Sequence, residues 1–157
     1  MAVIEIEKGT EWHVRRQISG VLTDHDNRIV TLEAASGGGG KIAPQAVFDG
    51  AGDVILVGSR VRAIVSANAT ITGWTILADT TGAVVVDVWK DTFANYPPTL
   101  VDTITGSAKP AVSSGLDKAT STTLTGWTTA LSVGDTLTFV IDSVTSFKQL
   151  IIRLNVA

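Results

Sequence analysis

The sequence predicts an all-β protein: a jelly-roll-like β-sandwich of about eight strands, preceded by a short N-terminal β-meander on a glycine linker. Three observations predict it. Thr, Val and Ile number 21, 19 and 13, together 53 of 157 residues, and their branched Cβ suits a pleated, half-buried surface. Strand-like runs recur along the chain, separated by Gly, Asn, Asp and Pro turn signals. Charged residues are only 17% against 45% hydrophobic, so the chain can bury enough apolar area to offset the entropy of ordering it.

Residues 1–36 read as the meander. Ile4 and Ile6 alternate with Glu5 and Glu7, which gives one apolar and one charged face. Lys8 to Glu11 is turn material, and Trp12 to Thr23 holds one or two further extended runs. Asp24-His25-Asp26-Asn27 separates Gly20–Thr23 from Arg28–Glu33. Asp and Asn bond their own backbone and tolerate left-handed conformations, so this is a hairpin turn. A meander of this size needs something to pack on, either the main domain or another chain.

Residues 37–41 read as a linker. Four successive glycines, Gly37 to Gly40, have no side chains to pack and span about 11 Å as a flexible joint. Composition changes across it: all four glutamates precede it, and every acid after it is an aspartate.

Residues 42–157 read as the sandwich. The expected strands are Asp53–Val57, Arg60–Ser66, Thr70–Ala78, Ala83–Lys90, Thr99–Thr105, Ala119–Thr125, Thr136–Asp142 and Lys148–Val156. Leu137, Phe139 and Ile141 should face the core, as should Leu150, Ile152, Leu154 and Val156, because both sets recur with period two. Ala83 to Val88 is apolar on both sides up to Asp87, so that strand is central or covered. Ile71-Thr72-Gly73-Trp74-Thr75 is echoed by Leu124-Thr125-Gly126-Trp127-Thr128, which is read either as two related halves or as chance in a Thr-rich chain.

Charge and motifs exclude several functions. The net charge is -3, with no basic patch of the density that nucleic-acid binding needs. Cysteine is absent, so there is no disulfide and no thiolate chemistry. The first residues lack the basic start and apolar run of a signal peptide. No apolar run reaches the length of a membrane span. Asp24-His25-Asp26 looks like a metal cluster, but His13 is the only other histidine and a polar hairpin tip is the simpler reading. Asp87 and Asp91 flank Lys90 and read as a solvated sheet edge. The four glycines lack the strand-to-helix context and lysine of a phosphate loop. No catalytic, cofactor-binding or metal-binding residue is assigned, and the chain is not read as an enzyme.

The aromatic residues supply the one candidate contact. Trp89 to Pro98 leaves a strand and enters a proline-stiffened loop. Trp89, Phe93 and Tyr96 can stack on a sugar ring or a partner surface, and Asn95 can bind hydroxyls. The competing reading is a loop anchored by aromatics that pack beneath it.

This loop also carries a resemblance. Asp87 to Thr99, then Ile104 to Pro110, then Leu124 to Thr128, then Val133-Gly134-Asp135 resembles a C-terminal module of tailed-bacteriophage virion proteins, among them fibre-like and head-decorating proteins. It covers about Val47 to Ala157. The resemblance implies a structural role on the virion surface, a jelly-roll-like β-domain and a homotrimer, with no catalytic residues. The function expected is that of a capsid decoration or short head fibre. Its N-terminal segment would bind the major capsid protein or a tail or baseplate protein. The alternative is a receptor- or glycan-binding module of a tail fibre or baseplate, which would meet a host surface glycan.

An oligomer is expected on independent grounds. Residues 46–157 contain only 16 charged residues, and Val85 and Ile151 fall on the faces a lone sandwich should leave polar. Such positions mark interfaces, so Val85 and Ile151 are the candidate oligomer contacts.

Overall fold

A computed structural model describes residues 42–157; the expected meander, the glycine linker and the Asp24–Asn27 turn lie outside the described residues. The described part is one compact unit. It is all-β, as composition predicts, and its seven strands form one nearly closed antiparallel sheet. The strands are β1 (Gln45–Asp49), β2 (Arg60–Ile64), β3 (Ala69–Asp91), β4 (Ala111–Ser121), β5 (Ala130–Leu131), β6 (Thr136–Val144) and β7 (Gln149–Val156). The order across the sheet is β1-β7-β3-β6-β2, with β4 and β5 also pairing to β3.

β3 organises everything else. The sequence predicts two strands broken at Asp79–Gly82, but one strand of 23 residues runs through. Its first half pairs with β7, from Ile71↔Val156 to Ala78↔Leu150. Its second half pairs with β6, from Val84↔Val144 to Asp91↔Thr136. β4 follows along the other edge, with its register shifting around Gly82. A bulge bends a strand without ending it, which is why a turn-like sequence did not become a turn. Gly82 is required there: an added Cβ would lie 2.7 Å from the ring of Phe147, which is fully buried.

The core side follows the expected period of two. Leu137, Phe139 and Ile141 of β6 are 0% exposed. Leu150, Ile152 and Leu154 of β7 are buried, and Val156 packs against the same cluster. Val84, Val86 and Val88 complete it from β3, and Ala46 and Phe48 from β1. Each of the Val, Leu, Ile and Phe side chains contributes roughly 1.5–3 kcal/mol on burial.

Other element expectations differ. The strand expected at Ala119–Thr125 is instead β4, Ala111–Ser121, which begins inside the stretch read as a turn. β1 was not expected, although Ala46 and Phe48 alternate with exposed Gln45, Val47 and Asp49. Asp53–Val57 is not a strand: Ile55 alone is buried, held by its N–H to the Phe147 carbonyl at 2.9 Å. Thr99–Thr105 is not a strand either. Asp102 accepts from the Thr99 N–H at 2.7 Å and hydroxyl at 2.8 Å, closing a 3-10 turn over Leu100–Asp102 where a ladder was expected. The echoed pentapeptides are not a structural repeat. Ile71–Thr75 lies within β3, whereas Leu124–Trp127 forms a turn closed by the Trp127 N–H on the Leu124 carbonyl, with Gly126 at φ 77.

Candidate functional site

The outer face of β6 and of the second half of β3 is where the sequence reading changes most. In cross-strand register this face presents Arg60–Val140–Asp87, then Arg62–Thr138–Trp89, then Ile64–Thr136–Asp91. A solvated outer face was expected, with Asp87 at a sheet edge. Instead Asp87 is 0% and Thr138 1% exposed. The chain's own segment, residues 92–110, leaves β3 and returns along its edge, with Thr103 bridged to Trp89 and Ile104 turned into the core. Its return is fixed by the Ile104 N–H on the Val88 carbonyl and the Val86 N–H on the Pro110 carbonyl, both at 2.9 Å. Trp127 supports it from outside by donating its indole N–H to the Ala108 carbonyl at 2.8 Å.

Asp87 is the anchor of this fold-back. Its Oδ1 accepts from the Thr103 and Thr105 hydroxyls, both at 2.6 Å, and from the Val88 N–H at 2.8 Å. Its Oδ2 accepts from the Trp89 indole at 3.0 Å and lies 3.0 Å from the Lys109 ammonium. A buried carboxylate is tolerated only when so supplied with donors. Burial pushes its pKa up, but the bonds from Thr103, Thr105, Lys109 and Trp89 outweigh that and hold it below its ordinary value. Lys109 also reaches Asp142 at 2.6 Å. Asp142 and then Asp87 raise its pKa against the opposing effect of burial. The Asp87–Lys109–Asp142 chain thus pins the end of the loop to β3 and β6.

The loop stops short of β2 and leaves a groove of about 470 Å³ lined by Arg62, Ala63, Ile64, Phe93, Tyr96 and Thr136. The Arg62 guanidinium lies 5.8 Å from the centre of the Tyr96 ring, and that of Arg60 lies 5.1 Å from the Trp89 ring, both within cation–π reach. Of the four expected contact residues, the structure brings Phe93 and Tyr96 to the groove, 72% and 49% exposed. Asn95 is exposed but donates its side-chain amide to Asp91 at 3.1 Å. Trp89 is only 6% exposed and serves the Asp87 anchor, so the reading of a loop packed over its aromatics describes Trp89.

The two expected oligomer residues separate as well. Val85 is half-buried, with Ala111 and Ser143 beside it across the ladder. Ile151 is 41% exposed and stands between Val47 and Leu77, which are 54% and 52% exposed. These three make an apolar row across β1, β7 and β3. A polar row, Gln45–Arg153–Thr75, flanks it on one side, and Asp49–Gln149 flanks it on the other.

Arg62, Ile64, Val47, Leu77 and Asp87 were missed. The alternation Arg60-x-Arg62-x-Ile64 was visible as a one-sided strand, but only the fold places it beside the aromatic loop. Among the described residues, no group of three or more His, Asp or Glu side chains is arranged to hold a metal ion. In comparison with known proteins, the chain matches no family model and shows no significant similarity to a curated protein.

Proposed function

We propose that this chain is a structural protein of a tailed-bacteriophage virion, a capsid decoration or short head fibre displayed on the virion surface. The N-terminal segment attaches to another virion protein, and the β-domain projects as a homotrimer. On this reading the nearly closed sheet is a variant of the jelly-roll sandwich. The observation that carries it is the row Val47–Ile151–Leu77, exposed and in register on a face that a solitary domain would keep polar. Burying such a row against a neighbouring copy contributes roughly 25 cal/mol per Å² of apolar area. The order of motifs from Asp87 to Asp135 supports the virion setting. Mass spectrometry of purified particles tests it. The chain should be present, and lost when residues 1–36 are deleted from it; particles that lack the intact chain would overturn the proposal.

A second reading, a glycan- or receptor-binding module of a tail fibre or baseplate, is favoured by the exposed rings of Phe93 and Tyr96 beside Arg62. A glycan array with the assembled protein tests it. Binding abolished by Phe93→Ala or Tyr96→Ala would support it, and no binding at millimolar sugar would remove it.

A further inference from the structure

The groove beside the aromatic loop lies on the outer face of β6, where Ile64, Thr136 and Asp91 are neighbours across the ladder. Its volume of about 470 Å³ falls in the range of small-molecule sites. Most of its wall is apolar. Ala63 and Ile64 come from β2, and Phe93 and the Tyr96 ring from the loop. Ile64 is 67% exposed and Phe93 72%, so both offer bare apolar surface to an occupant. Two rings side by side favour an aromatic body, which gains stacking or edge-to-face contact beyond the area it buries.

One charged side chain, Arg62, lines the groove. It has no carboxylate partner among the described residues. Its guanidinium lies 5.8 Å from the centre of the Tyr96 ring. Contact with a ring sets the place of the guanidinium before a ligand arrives, so less freedom is lost on binding. The neighbouring charges leave it open. Arg60 stands 5.1 Å from the centre of the Trp89 ring and adds to the positive field. Asp91 accepts at its Oδ1 from the Thr92 N–H at 2.7 Å and from the Asn95 amide at 3.1 Å, both within its own loop. Lys90 and Asp135 pair with each other at 3.2 Å.

We infer that the groove binds a small aromatic carboxylate, with its acid group on Arg62 and its ring among Ile64, Phe93 and Tyr96. A guanidinium presents parallel N–H donors that match the two oxygens of a carboxylate, and such charge-assisted bonds are the strong ones. The other polar side chains of the groove are Tyr96 and Thr136. The Thr136 hydroxyl already donates to the Asp91 carbonyl at 3.1 Å. A sugar carries hydroxyls all round and needs several convergent polar partners. An apolar wall with one cation instead suits a ligand with one acid group and an apolar body. This inference stands on the groove alone and depends on neither the virion nor the glycan reading.

The test is an NMR titration of the full chain with phenylpropionate, followed through the backbone amide shifts. Saturable shifts at millimolar ligand are expected, centred on residues 62–64, 93–96 and 136. Phenylpropionamide has the same shape without the charge and should bind about tenfold more weakly. Arg62→Gln should remove the difference between the two ligands. Phe93→Ala should weaken both alike, because it takes away ring contact and no charge. Arg153→Gln removes an exposed arginine of β7 and should leave both unchanged. If Arg62→Gln fails to fold by circular dichroism, the acid and the amide on the wild-type chain still decide the matter. No saturable shift at the groove, or equal binding of acid and amide, overturns the inference. So does methyl glucuronide binding there more tightly than phenylpropionate, which would put an acidic sugar in the groove.

Discussion

The carboxylate of Asp87 and the ammonium of Lys109 stand 3.0 Å apart, which ties the last turn of a long loop to the strand along which the loop returns. Asp87 lies within β3 and Lys109 at the far end of residues 92–110. The contact holds the end of the segment against β3 as a cap on Asp87, and Lys109 reaches on to Asp142 of β6. Thr103 and Thr105 fill the space between. The cap in turn positions Phe93 and Tyr96 at the groove.

Removing the anchor should release the cap. Asp87→Ala leaves Lys109, Trp89, Thr103 and Thr105 without their shared acceptor. Breaking a buried charge pair of this kind costs about 3–5 kcal/mol. Urea denaturation should show a loss on that scale, and Trp89 fluorescence should shift to the red as water reaches the ring. Asp87→Asn keeps the shape and should cost less.

The same anchor sets a pH dependence. The Asp87 pKa lies below its ordinary value in the fold. Such a group adds stability above the unfolded pKa and loses it as pH falls through the folded one. The acid limb of a Tm-against-pH curve should therefore be shallower in Asp87→Asn than in the wild type. Lys109 is shifted the other way. Its contribution is complete below the unfolded pKa and lost as pH rises through the folded one, so Lys109→Met should flatten the alkaline limb. Unchanged limbs in both variants would contradict the assignment.

Gly82→Ala probes the bend of β3. The new methyl would meet the Phe147 ring at 2.7 Å. Overpacking of that kind costs about 1–3 kcal/mol. Phe147→Leu on its own should destabilise, yet the double variant should be more stable than the two single losses added together. A double-mutant cycle by thermal unfolding checks this.

The sheet was legible in the sequence wherever one face is wet and the other dry. β7 shows this best, since Gln149, Ile151 and Arg153 are exposed and Leu150, Ile152 and Leu154 buried. The faces of β6 could not be read so simply. Thr136 and Thr138 look like solvent-facing residues, yet they are buried, with Ile64 and Asp91 beside the first and Arg62 and Trp89 beside the second across the ladder, and only tertiary structure brings those neighbours. For the same reason Asp87 passed for a surface acid. Its donors Thr103, Thr105 and Lys109 come from beyond the strand, in a stretch whose β-branched residues suggested another strand. At the groove, the aromatic half was visible as Phe93 and Tyr96. The cationic half, Arg60 and Arg62, sits in β2, and no local pattern joins the two.

Assembly through the apolar row Val47–Ile151–Leu77 is the central claim, and light scattering of the full chain tests it most directly. The wild type should scatter as a trimer, three times 16.4 kDa, at tens of micromolar. Ile151→Asp and Leu77→Asp should shift it toward the monomer while the circular dichroism spectrum and Tm stay close to wild type. A wild-type monomer at that concentration, or trimers undisturbed by both substitutions, would contradict the account.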